Sequence, residues 1–212
     1  MTTITLGANT YNLVPLPRYP GFNEISFTMV DPTAVVASPY VPSQVQTQAW
    51  PGADAWGAQL SLPKMTERDA GWWVGFLAGL RGMQNVFQLG DPVRKDPYGS
   101  PAGTPIVSGA NAVSATQLNT RGWPVSRYGL LLPKDYIQIG YRLHMVTTQV
   151  NSDTNGDAAI SIWPSLRDPL ADGATFSFTN CQGVFRLASN QRKWHTTVDQ
   201  LSQISFPCVE VR

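Results

Sequence analysis

Thr66-Glu-Arg-Asp-Ala-Gly-Trp-Trp-Val-Gly-Phe-Leu-Ala-Gly-Leu-Arg-Gly82 is the one stretch of this chain that reads as a helix, and the sequence around it reads as strand and turn. Thr66 is a good N-cap, and Thr66-x-x-Asp69 is a capping box with Asp in place of Glu. Glu67 and Asp69 at the start and Arg81 at the end suit the helix dipole, and Gly82 supplies a stop. The pattern predicts a helix over 66–82. Trp73, Phe76, Leu77 and Leu80 fall at i, i+3, i+4 and i+7 and form one apolar face. Trp72 cannot share it with Trp73, so one of the two packs elsewhere. Gly71, Gly75 and Gly79 form a second row, each residue four from the last. An interior helix glycine costs about 1 kcal/mol against alanine. Three in a row therefore imply that another backbone comes close, either the chain's own sheet or a neighbouring subunit.

Upstream, residues 25–30 alternate weakly and read as a strand ended by Asp31-Pro32. Val35-Val36 begins another element, and Pro39 and Pro42 confine that stretch to a loop or an edge. Residues 45–50 and 56–62 flank Pro51-Gly52-Ala53-Asp54, which predicts a hairpin. The rest of the first forty residues reads as irregular. Downstream, 86–89 is a strand, and 90–105 is a Pro/Gly-rich linker or long exposed loop carrying Arg94 and Lys95. Further strands are expected at 106–107, 112–118, 130–132, 136–139, 142–150, 158–163, 175–179 and 183–188. Two more are expected at 193–198 and 204–211, with Ile204, Phe206 and Cys208 on one buried face. The fold class is all-β with one helix.

Composition narrows the function. Lys plus Arg total 15 and Asp plus Glu 14, a formal net charge of +1 over 212 residues. That excludes a general electrostatic nucleic-acid binder and a polybasic membrane-surface protein. Charged residues are 14% of the chain, against about 25% in an average soluble protein. Hydrophobic residues are 42%, too many for a disordered chain. Arg (11) outnumbers Lys (4) and Asp (11) outnumbers Glu (3), a bias that fits strands and also protein interfaces. No basic segment followed by an apolar core opens the chain, so no signal peptide is expected. The longest uncharged apolar run, 70–80, is shorter than the roughly 20 residues that span a bilayer. The chain reads as a soluble protein made in the cytoplasm.

Catalytic patterns are sparse. His144 and His195 sit in strand-like contexts without a nucleophile elbow nearby. Cys181 and Cys208 carry neither metal spacing nor a thiol-enzyme signature. Most aspartates stand in turns. Asn151-x-Asp153-x-Asn155-Gly156 matches half a calcium loop, but Ile162 occupies the position of the bidentate Glu, so a turn is expected there. No enzyme activity, cofactor or metal is expected. The seven tryptophans remain: some belong to the core, and Trp123 and Trp163, with Arg94 and Lys95, are candidates for contact with a partner or a glycan.

Several segments carry a resemblance. They are Trp56-Gly-Ala-Gln-Leu-Ser-Leu-Pro63, Phe76-Leu-Ala-Gly-Leu-Arg-Gly82, Phe87-Gln-Leu-Gly-Asp-Pro92 and Asp135-Tyr-Ile-Gln-Ile-Gly140. Ile162-Trp-Pro-Ser-Leu-Arg167, Leu170-Ala-Asp-Gly-Ala174 and Gly183-Val-Phe-Arg-Leu-Ala188 join them. Together they resemble the distal-tail or tail-tip adaptor proteins of long-tailed, siphovirus-like bacteriophages, over residues 45–206. Lys134-Asp135 stands where the family pattern has Gly-Asp. The resemblance implies a ring-forming "belt" domain, a split β-barrel or sandwich with one helix, at 1–92. The C-terminal strands 194–212 would complete it, and 93–193 would form a second β-barrel or galectin-like domain. It further implies a virion protein in a homo-oligomeric, typically hexameric, ring between the tail tube protein and the hub and tip proteins. Receptor-binding or tape-measure proteins are further partners, and DNA would pass through the lumen unbound. On this reading Gly71, Gly75, Gly79 and Trp72 face a neighbouring subunit. The alternative is a carbohydrate-binding module presented on the tail tip.

Overall fold

The computed structural model describes residues 2–41 and 43–212. Pro42, expected to help confine its segment to a loop or edge, lies outside the described residues. The chain opens with β1 (Thr2–Leu6) and β2 (Asn9–Leu13), then β3 (Glu24–Val30), β4 (Thr33–Ala37), β5 (Val45–Ala49) and β6 (Ala55–Ser61). A short β7 (Met65–Thr66) leads into the helix α1 (Glu67–Gly79), followed by β8 (Phe87–Leu89), β9 (Ile106–Val107) and β10 (Gln117–Arg121). The remaining strands are β11 (Tyr136–Ile139), β12 (Arg142–Val146), β13 (Asp157–Trp163), β14 (Gly183–Leu187), β15 (Trp194–Thr196) and β16 (Leu201–Glu210). The protein is therefore all-β, with a single helix among the described residues.

Two sheets carry the architecture. The larger runs β3-β6-β16-β14-β8, with β7 and β15 also paired to β16, and the smaller runs β11-β12-β13-β10-β9. The last strand of the chain lies in the middle of the larger sheet, between β6 and β14. Its side chains alternate: Ser202, Ile204, Phe206, Cys208 and Glu210 face inward. This is the period-2 row legible in the sequence, extended at its end to a buried carboxylate. α1 lays Ala70, Trp73, Phe76 and Leu77 on that sheet, where Trp73, Phe76, Phe87 and Phe206 meet edge-on or tilted. Thr66 caps the helix as expected, its Oγ1 accepting from the Asp69 N–H at 3.4 Å. The helix ends at Gly79 rather than Gly82, because Arg81 already takes a left-handed φ of 50°. Gly82 follows at φ +71°, its Cα so close to the Asn190 side chain that a Cβ would lie 2.5 Å from Oδ1.

Several expectations need correction. The first forty residues are not irregular: β1 and β2 form a hairpin whose Ile4 and Leu6 pack with Val86, Val184 and Val211. Residues 45–50 and 56–62 do not pair with each other. β5 pairs back to β4, while β6 pairs with β3 from Glu24↔Ser61 to Val30↔Ala55. The turn at Pro51-Gly52 does form, with the Ala53 N–H donating to Trp50 O. Asp54 just beyond it is held by Ser165 and Arg167 in the loop after β13 (Asp157–Trp163), so the chain is led away from β5. β14, inside the span 93–193 expected to form a second domain, lies in the larger sheet, paired with β8 and β16. Residues 130–132 and 175–179 contribute isolated bridges, not strands. The strand expected at 112–118 sits later, as β10. Lys134 adopts φ 72°, the left-handed conformation that a glycine takes without strain.

Candidate functional site

Three places bear on function: a buried polar joint between the sheets, the outer face of α1, and an arm that leaves the larger sheet.

At the joint, the smaller sheet and the loop after β13 lean on β6 and β16. Ser165 donates from its N–H and from Oγ (2.7 Å) to the Asp54 carboxylate. The Arg167 Nη1 reaches Asp54 Oδ1 at 3.2 Å and also donates to Gly52 O. Arg167 Nη2 stands 3.7 Å from Glu210 Oε2, which accepts from the Trp56 N–H at 3.1 Å. Arg142 donates to Val211 O and reaches Asp168 at 3.4 Å. Burial works against ionised Asp54, but the Ser165 hydrogen bonds and the Arg167 charge together hold its carboxyl below the usual range. Burial pushes the Glu210 carboxyl up, opposed only in part by the Trp56 N–H and the two arginines. His144 is fully buried, with Nδ1 2.7 Å from Pro164 O. A carbonyl only accepts, so Nδ1 carries the proton. Burial, with Arg167 and Arg142 adding to it, lowers the imidazole to about 4. The cluster is a neutral-His, ion-paired fastening between the two sheets. Trp56 strengthens it, donating from Nε1 to Leu143 O at 2.9 Å and stacking edge-on against Trp163 at 4.5 Å.

The thiols of Cys181 and Cys208 are both pushed up to about 12 by burial and stay un-ionised near neutral pH. His195 lies exposed on β15. Asp153 Oδ1 accepts from the N–H groups of Asn155 and Asp157, so the calcium-like stretch is a self-capped turn.

The residues proposed for partner or glycan contact separate. Trp123 is buried in the smaller sheet's core and donates to Thr120 Oγ1. Trp163 donates to Asp31 Oδ1 at 2.7 Å. Arg94 is folded inward, paired with the fully buried Asp135 at 2.9 Å and stacked on Tyr98. Asp135 also accepts from the N–H groups of Tyr98, Gly99 and Leu132, which ties the 93–105 stretch down. Trp123 and Trp163 thus spend their indole N–H groups within the chain, and Arg94 spends Nη1 on Asp135. Lys95 alone of the four is exposed.

The helix row divides too. A Cβ built on Gly71 or Gly75 would meet nothing within 4 Å, and one on Gly79 would only touch Val14. The chain's own sheet therefore makes no close approach to Gly71 or Gly75. Both are exposed, beside Trp72, which is 70% exposed. Sequence reasoning missed the exposed aromatics Trp50, Trp194, Tyr40 and Tyr128. Tyr40 and Trp50 had a readable signal, since both sit beside prolines in a stretch without charge.

No protein-family pattern matches this chain, and no curated protein matches it.

Proposed function

We propose that the chain is a structural virion protein, a ring-forming adaptor at a phage tail tip that joins tube to hub. The observation that carries the reading is the outer face of α1. Gly71, Gly75 and Trp72 are left open by the chain itself, although the two glycines weaken the helix. Two open glycines beside an exposed indole, kept at that cost, suit close approach by another copy, and head-to-tail contacts of that kind close into rings. The segments that resemble distal-tail proteins support the same reading.

The test is the particle mass of the purified chain and of its glycine variants. Gly75→Ala is expected to stabilise the isolated chain by about 1 kcal/mol in denaturant titration. Gly75→Leu, pointing into open space, is expected to leave the melting temperature of the isolated chain unlowered and yet to break the ring into smaller species. A chain that is monomeric at all concentrations, or a ring indifferent to Gly75→Leu, would sink the reading. Carbohydrate binding keeps one observation in its favour. Tyr128, largely exposed, stands at an open polar groove with Asn119, Asn151 and Asp157. A glycan array, with Tyr128→Ala as its control, tests that.

A further inference from the structure

Between Asp31 and Asp54 the sequence runs 22 residues, 32–53, without a charged side chain. The fold sends most of this stretch out as the β4–β5 hairpin. β3 and β6 pair with each other up to Val30↔Ala55, and beyond that row β4 and β5 pair only with each other. Every described residue from Val35 to Trp50 is exposed except the partly covered Ser38. Val36 is 64% exposed and Tyr40 91%. Val35, Val41, Val45 and Trp50 are also exposed. A lone two-stranded ribbon is marginally stable in water. Free strand edges are normally guarded by lysines or other charges, and this arm has none. Such an arm is built to be covered.

The cover is available at the other end of the same sheet. Against the β8 edge lies a groove of about 560 Å³, lined by Leu13, Val14, Pro15, Leu16, Gln88 and Gln182. It is as free of charge as the arm. The groove meets the foot of the glycine row, where Gly79 faces Val14. The register relates the two places. The row through Val30 and Ala55, at the root of the arm, crosses the sheet past Val211 and Val184 to Gln88 in the groove. Arm and groove thus stand level at opposite edges, four strand spacings or about 19 Å apart. One protruding element on one flank and one matching recess on the other define a head-to-tail contact.

We propose that the β4–β5 arm seats in the Leu13–Leu16/Gln88 groove of a second copy of this chain, with Tyr40 and the arm's valines as the buried anchors. The proposal rests on the ring reading above and names the surfaces that make the ring. The arm's 17 residues, 33–49, fall just short of the 20–30 residues a standard interface takes from each side. The helix face beside the groove supplies the remainder.

Cross-linking separates this proposal from its parent. Two chains are made, one with Tyr40→Cys and one with Gln88→Cys, and mixed under mild oxidation. The native Cys181 and Cys208 are buried and serve as the unreactive background. The mixture should give a disulfide-linked dimer that neither chain gives alone, and the double variant should give a covalent ladder up to the closed ring. Val36→Asp with Tyr40→Asp, both at exposed positions, should leave the melting temperature of the isolated chain in place and raise the dissociation constant at least roughly 30-fold. A ring that forms without the mixed cross-link and tolerates both aspartates overturns the arm proposal and leaves the ring standing. A chain monomeric at every concentration overturns both.

Discussion

Replacing Arg167 with alanine is expected to lower the unfolding free energy by about 3 kcal/mol, at the low end of the range for breaking a buried ion pair from one side. The Arg167 side chain is 7% exposed and that of Glu210 2%. Removing the guanidinium leaves Asp54 its two Ser165 hydrogen bonds, but leaves the Glu210 carboxylate with only the Trp56 N–H. Glu210 already holds its proton more tightly than an exposed glutamate, and can take one up. That relief, with the incomplete bonding of Arg167 Nε and Nη2, places the loss near 3 kcal/mol, not 5. Arg167→Met together with Glu210→Gln keeps volume and removes both charges. It should recover part of the loss, since an apolar replacement of a buried pair is often neutral. Denaturant titration followed by tryptophan fluorescence checks both. Arg167 also ties the loop after β13 to Gly52 and Asp54. The alanine variant should therefore split a single transition into two as the smaller sheet loosens from the larger. A single unshifted transition would refute the idea that this cluster fastens the sheets.

Much of the larger sheet was legible because its signals are local. Thr66 and Asp69 announce the start of the helix, and the Ile204–Phe206–Cys208 alternation announces a half-buried strand. The pairing was not legible, because it is set by partners far along the chain. Residues 45–50 and 56–62 look like a hairpin locally. What decides between β4 and β6 as the partner of β5 is that Asp54 is held by residues more than a hundred positions away. β1 and β2 were overlooked although Thr2-Thr3-Ile4-Thr5-Leu6 alternates before Gly7, a turn glycine at φ +57°. Their polar outward face masks a period expressed by Ile4 and Leu6 in β1 and by Tyr11 and Leu13 in β2.

The candidate site was less legible still, for a physical reason. An exposed tryptophan and a core tryptophan have the same sequence signature. Trp123 and Trp163 spend their indole N–H groups inside the chain, whereas Trp72, Trp50 and Trp194 remain outside. Arg94 looked free because its partner, Asp135, is 41 residues away. Residues 32–53 carry no charge, which by itself is only a composition. Only their geometry, a ribbon with both faces exposed, turns a composition into a surface.

Acidification from pH 6.5 to 4 is expected to cost the folded chain about 3 kcal/mol through His144 alone. In the unfolded chain this imidazole takes a proton near 6.5, and in the folded chain burial delays that to about 4. Between those values the unfolded state binds the extra proton, so stability falls as pH falls, and the loss is complete below about 4. The groups facing the ring, Arg142, Arg167 and Asp54, set its surroundings, with burial the largest influence. Glu210 acts in the opposite sense. Its raised pKa lets the folded chain take a proton first and offsets part of the loss as pH drops toward the ordinary glutamate range. Asp54, held low, adds a further loss below about 3.8. The His144 contribution is therefore read as a difference. Stability of the native chain and of His144→Gln, whose amide N–H can still donate to Pro164 O, is measured by denaturant titration at half-unit steps from pH 7 to 4. The two curves should converge as the pH drops, by about 3 kcal/mol over the window, with His144→Gln the flatter. Parallel curves would mean that His144 binds its proton equally well folded and unfolded, and that the joint is open to water.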